Sequence, residues 1–94
     1  MQSKSVYKIP NGKLLKISLN YDEKNNTITQ INIMGDFFAY PEESIEIMES
    51  ELRNSVLIKE KLLIKINSVI NKNKMDFIGL DAEGLTKGIL MCLK

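Results

Sequence analysis

The chain has 94 residues, 44% apolar and 27% charged, with a formal net charge of +1. That length makes one small domain, residues 1–94, and the near-neutral balance argues against a nucleic-acid binder that works by neutralising phosphates. There is no histidine and one cysteine, Cys92, which excludes an intrachain disulfide, a His-containing zinc site and Ser-His or Cys-His dyads for the chain acting alone.

At the N-terminus, Met1-Gln2-Ser3-Lys4-Ser5 lacks the apolar segment of a signal peptide. No later run approaches the ~20 apolar residues of a membrane span. A cytoplasmic protein with no membrane contact is expected. Val6-Tyr7-Lys8-Ile9 is β-prone, and Pro10-Asn11-Gly12 follows as a hairpin signal, because Asn and Gly both accept positive φ. Lys13 to Leu19 alternates, with Leu15, Ile17 and Leu19 on one face. Asn20 to Asn26 is a polar turn. Thr27 to Met34 reads as the third strand, with Thr29, Ile31 and Ile33 on one face and Ile28, Gln30, Asn32 and Met34 on the other.

Then comes Gly35-Asp36-Phe37-Phe38-Ala39-Tyr40-Pro41. Three of the chain's six aromatic residues crowd this strand-to-helix junction. Gly35 suits a bulge or positive φ. Asp36 suits a carboxylate accepting backbone N–H bonds, or a contact to a partner. Phe37 and Phe38 are adjacent, so in extended geometry one enters the core and the other faces outward. With Tyr40, an outward ring would make an apolar patch of the kind that marks interaction sites.

Pro41 suits a first helical position, with Glu42 and Glu43 in the first turn. Ile45, Met48 and Leu52 form an apolar stripe, and Arg53-Asn54-Ser55 breaks it. A second helix fits Leu57 to about Asn71, with Ile58, Leu62, Ile66, Val69 and Ile70 inward. The lysines at 59, 61, 65, 72 and 74 read as solvated. Asn71 to Lys74 is a loop, and Phe77-Ile78 a short buried segment that pairs with an edge or only packs. Asp81 is an N-cap for a last helix with Leu85, Ile89, Cys92 and Leu93 inward. Gly84 and Gly88 each cost it about 1 kcal/mol relative to Ala, which points to close approach of another backbone. Strands precede helices, so the fold class is α+β: a three-stranded antiparallel meander covered on one face by about three helices.

No catalytic residue and no metal ligand set emerges from these residues. Cys92 reads as core, and Lys13, after Asn11-Gly12, is the one candidate for reaching an anionic ligand or cofactor.

The stretches Asn11-Gly12-Lys13-Leu14-Leu15-Lys16-Ile17, Ile31-Asn32-Ile33-Met34-Gly35-Asp36-Phe37-Phe38 and Pro41-Glu42-Glu43, with Phe77-Ile78-Gly79-Leu80-Asp81-Ala82-Glu83-Gly84-Leu85, resemble the small C-terminal domain of lipoate–protein ligases. The resemblance runs from about Lys8 to Leu93, and Gly-Asp-Phe-Phe between strand and helix is its specific part. In that family a large domain binds lipoate and ATP, forms lipoyl-adenylate and passes the lipoyl group to a lysine of an acceptor protein. The small domain assists adenylation, and in some organisms it is a separate polypeptide. It shares its fold with sulfur-acceptor and iron–sulfur scaffold proteins. This sequence has no trace of the large domain's signatures. The resemblance therefore implies the accessory subunit of a two-part ligase, with no catalysis by this chain alone. It implies a heterodimer with a catalytic subunit and, through the complex, contact with lipoyl-acceptor domains. ATP, Mg and lipoate would sit on that partner subunit and no cofactor on this chain. Gly35, Asp36, Phe37, Phe38, Tyr40 and Pro41 would form the partner-binding junction. The competing reading is a non-catalytic adaptor of the same fold with a different partner; a homodimer through a strand edge or Phe38 is a third.

Overall fold

A computed structural model describes residues 1–93. Three strands, β1 (Gln2–Lys8), β2 (Leu14–Asp22) and β3 (Thr27–Gly35), form an antiparallel sheet in the order β1-β2-β3. The inward residues Leu15, Ile17 and Leu19 of β2 are fully buried, as the alternation requires. β1 starts earlier than its β-prone core suggests, and its polar residues Gln2 to Ser5 pair with Asn20 to Ile17. Pairing, not propensity, extends the strand.

Two turns close the meander. The link from β1 to β2 is a five-residue loop, in which Ile9 N–H donates to Lys13 O at 3.1 Å and Gly12 N–H to Ile9 O at 2.8 Å. Asn11 takes the left-handed conformation (φ 59°), and Gly12 does not. At the second turn the Asp22 carboxylate accepts from the N–H of Lys24 (3.0 Å) and from the side-chain amide of Asn25 (2.7 Å).

The period-2 reading of β3 fails at one residue. Tyr21 pairs with Ile28 while Asn20 pairs with Gln30, so Thr29 is an extra residue, a β-bulge. The bulge lets both Ile28 and Ile31 point inward, where each is buried, and leaves Thr29 exposed. Strict alternation had placed Thr29 inward and Ile28 outward.

Helices α1 (Ser44–Glu51) and α3 (Ala82–Leu90) lie on one face of the sheet, α1 against β3 and α3 against β1 and β2, and α2 (Lys59–Asn73) packs across both. Met48, Leu52, Leu62, Ile66, Val69, Leu85 and Ile89 meet the sheet's apolar face in one core. Each such residue contributes roughly 1.5–3 kcal/mol by leaving water.

Several boundaries move. α1 begins at Ser44, so Pro41 lies in the preceding turn, where Ser44 N–H donates to Pro41 O at 3.0 Å, and Glu42 is outside the helix. Ile58 is the extended residue before α2 and is exposed. α2 runs through Asn73, because Lys74 supplies a left-handed C-cap (φ 52°). Asp81 caps α3 as its position predicts, accepting from Gly84 N–H at 2.6 Å. Close approach to Gly84 and Gly88 is real, but side chains make it, from the β1–β2 loop at Gly84 and from β2 at Gly88. A Cβ at Gly88 would stand 2.7 Å from Leu15 Cδ2 and one at Gly84 3.0 Å from Ile9 Cδ1. Ser5 Oγ, in β1, donates to Gly88 O at 2.7 Å.

Candidate functional site

The residues after β3 do not run directly into a helix. They form a second, separate sheet: β4 (Phe38–Tyr40) pairs antiparallel with β5 (Asp76–Ile78), Phe38 opposite Ile78, Ala39 opposite Phe77 and Tyr40 opposite Asp76. Alternation sorts this ribbon into two faces. Ala39 and Phe77 turn inward and are half-buried. Phe38 (58% exposed), Ile78 (52%) and Tyr40 (52%) share the outer face. Ile78, expected to be buried, is exposed because the register places it opposite Phe38.

Gly35 turns the chain off β3. A Cβ there would collide with Leu14 O and stand 2.9 Å from Phe37 Cε2. The Phe37 ring therefore lies back over Gly35 and packs half-buried against the core, while Phe38 projects. This is the division of roles that adjacency predicts. The Tyr40–Pro41 peptide bond is cis and carries the chain from the ribbon toward α1.

Consecutive residues at the start of β2 hold the base of the ribbon. Lys13 N–H donates to Gly79 O at 3.0 Å, just after β5, and Leu14 O accepts from Asp36 N–H at 3.1 Å, just before β4. Both rails are thus tied to one short segment. The Lys13 stem fills the space beside Gly79, where a Cβ would meet Lys13 Cγ, and Gly79 has φ +87°. Lys13, Gly35, Asp36, Phe37, Phe38 and Tyr40 are thereby gathered at one end of the molecule, with Pro41 completing the turn. Sequence reasoning did not assign Ile78 and Gly79 to the site. The only signal was the short apolar run ending in glycine.

The Asp36 carboxylate, expected to accept backbone N–H bonds, accepts none among the described residues; only its own N–H is engaged. The Lys13 ammonium likewise has no hydrogen-bond or ion-pair partner among them. No group of three His, Cys, Asp or Glu side chains among the described residues is placed to hold a metal ion. Cys92 is buried, its thiol 3.8 Å from Gly88 O. None of the described helices is long and apolar enough to cross a membrane.

A hollow of about 770 Å³ lies elsewhere, among Tyr7, Ile9, Leu63, Asp81, Lys87 and Leu90. Its rim mixes both charges, with Lys87 Nζ 5.3 Å from the centre of the Tyr7 ring. It includes none of the residues the sequence assigned to the site.

The lysines at 65 and 72 pair with Glu51 across α1 and α2, at 3.8 and 3.2 Å, so two of the five expected to be merely solvated tie helices together. They remain exposed enough that each pair is worth well under about 1 kcal/mol.

Sheet, helix layer and tethered ribbon together define a small α+β module whose distinctive surface is a projecting aromatic face. The chain belongs to the family described as bacterial lipoate protein ligase C-terminus, which matches residues 8–89. Over 52 residues, 55% of this chain and 53% of the relative, it is 40% identical to lipoate-protein ligase A subunit 2 of Thermoplasma acidophilum. The match thus spans about half the length of that curated relative. It is also similar to a chain in the solved structure of an archaeal lipoylation system, described as a bi-partite lipoate protein ligase and its E2 lipoyl domain from the same organism. There the TM-score is 0.77 at 30% identity, covering 95% of this chain and 94% of that one.

Proposed function

We propose that this chain is the accessory subunit of a two-part lipoate–protein ligase, working in the cytoplasm. It docks on a separate catalytic subunit and assists the ATP-dependent activation of lipoate to lipoyl-adenylate, ahead of transfer to acceptor lysines. ATP, Mg and lipoate bind the catalytic subunit. The family match, a relative named as a second ligase subunit and a structural neighbour described as bi-partite support this reading. The observation that carries it is the outer face of the ribbon, where Phe38, Ile78 and Tyr40 stand in solvent on a base fixed by Lys13 and Leu14. Aromatic anchors on a rigid support lose little freedom on binding, which favours them as interface contacts.

Docked over a nucleotide site, such a surface excludes water while the mixed anhydride forms. Lys13, at the base of the ribbon, is placed to reach an anionic group at the joint site. The Asp36 carboxylate offers a polar contact at the rim. The test is lipoate-dependent ATP–pyrophosphate exchange by the catalytic subunit with and without this chain. Faster exchange in its presence supports the assignment. Equal exchange, together with capture of a different protein through the same ribbon, would favour the adaptor reading.

A further inference from the structure

The two edges of the three-stranded sheet differ. Along β3 the outward backbone is engaged at Ile28 and Ile33: Ile33 N–H donates to the Glu49 carboxylate at 2.7 Å, Ile28 N–H to Ser55 O at 3.0 Å, and Ile28 O accepts from Asn54 N–H at 2.7 Å. Glu49 belongs to α1 and residues 54 and 55 to the turn after it, so the helical layer obstructs that edge at two points.

Along β1 the hydrogen-bond phase is fixed at both ends. Met1 and Tyr21 exchange bonds of 2.9 and 2.8 Å, and Ile9 N–H donates to Lys13 O at 3.1 Å. The register between them is unbroken. The odd-numbered residues of β1 therefore bond to β2, and the N–H and C=O groups of Gln2, Lys4, Val6 and Lys8 point out of the sheet. No other described hydrogen bond reaches them. This is an open edge of the kind that templates another strand.

The same residues alternate onto the sheet's uncovered face. Val6, Lys16 and Met34 form one cross-strand row, and Lys4, Ser18 and Asn32 the next. Val6 is 59% exposed and Met34 52%. Lys4 and Lys16 have no described partner, while Lys8 donates to the carbonyls of Ile9 and Gly12 in its own loop. Asp22, at the far end of β2, is engaged by its turn. Lys4, Val6, Lys16 and Met34 thus surround a shallow hollow of about 370 Å³ that no carboxylate lines.

We infer that β1 is a docking edge, to which an extended segment of a partner polypeptide adds as a fourth strand. Two of its acidic side chains, at successive same-face positions, stand in the Lys4 row and in the row shared by Val6 and Lys16, the second laying its stem on Val6 and turning its carboxylate toward Lys16. Main-chain bonds supply affinity in such an addition and the alternate side chains supply selection. A second copy of this chain is a poorer occupant. It would bring Lys4 and Lys16 of both copies onto one continuous face, and like charges across paired strands oppose association.

The inference rests on the two-subunit reading, because the partner used to test it is the catalytic ligase subunit of the same organism. Binding of that subunit is measured for the wild type, for Val6→Pro, and for Lys4→Glu with Lys16→Glu. A proline at position 6 removes an outward donor and leaves the β1–β2 bonds in place. The charge reversals alter only exposed side chains, so they decide the matter if the proline variant fails to fold. Each variant is expected to bind about tenfold more weakly or worse. Amide exchange at Lys4, Val6 and Lys8 should slow in the complex, whereas Ser5 and Tyr7 are protected already. Wild-type binding with unchanged affinity in the folded variants overturns strand addition and leaves the accessory role standing. No binding by the wild type removes both. Sedimentation as a dimer that Val6→Pro dissociates would overturn the acidic partner in favour of self-pairing.

Discussion

Lys13 lies against Gly79. Its N–H donates to Gly79 O at 3.0 Å, and its stem occupies the place where a side chain at 79 would stand. Residues 66 positions apart in sequence thus close the base of the ribbon, and the lysine is held beside the exposed aromatic face instead of at the tip of a free hairpin.

Gly79→Ala should therefore break that closure. The residue has φ +87° and its new Cβ would meet Lys13 Cγ. Backbone strain and displacement together are expected to cost about 1–3 kcal/mol, read as a shift in urea midpoint. Lys13→Ala, which keeps the backbone bond, should leave stability within about 0.5 kcal/mol while lowering the stimulation of pyrophosphate exchange.

The two adjacent phenylalanines should separate cleanly. Phe37 packs half-buried against the core and over Gly35, so Phe37→Ala is expected to destabilise the domain by about 2–3 kcal/mol. Phe38 is largely in solvent. Phe38→Ser should leave stability within about 0.5 kcal/mol and weaken binding to the catalytic subunit. Equal binding by wild type and Phe38→Ser would remove the outer face from the interface.

Ser44 begins α1, and its hydroxyl is buried with no hydrogen-bond partner. An unpaired buried hydroxyl is a cost to the folded state. Ser44→Ala is expected to raise stability by up to about 1 kcal/mol, aided by the better helix propensity of Ala, and thermal melting would show it. A lower melting temperature would mean that the hydroxyl has a partner in solution.

The side-chain amide of Asn25, helped by the N–H groups of Asn25 and Lys24, holds the Asp22 carboxyl below the usual aspartate range against the opposing effect of desolvation. A lowered native pKa stabilises the fold above the unfolded value and ceases to do so as pH falls through the native one. The gap in melting temperature between wild type and Asp22→Ala should be widest near neutral pH. It should narrow only below the ordinary aspartate range.

The covered meander was legible because each strand announces itself locally. Leu15, Ile17 and Leu19 alternate, and Asp81 stands where a cap must. What sequence missed are pairings decided at long range. Thr29 breaks alternation because the sheet needs both Ile28 and Ile31 inside, and no single strand reveals that. The β4–β5 ribbon joins residues 38–40 to 76–78, and three-residue strands carry too little pattern to declare a period. At the site, Gly35 and the opposed phenylalanines were readable from chain geometry. Ile78 and Gly79 were not, since only the register against Phe38 and the contact with Lys13 give them meaning.

The obstructed border at β3 also limits how far copies could stack. Growth of a β-array needs two receptive sides, and here the Glu49 carboxylate and residues 54 and 55 occupy one of them. A strand that joined there would have to displace those bonds, whereas one joining the opposite margin displaces none, so open-ended growth is disfavoured relative to a single addition.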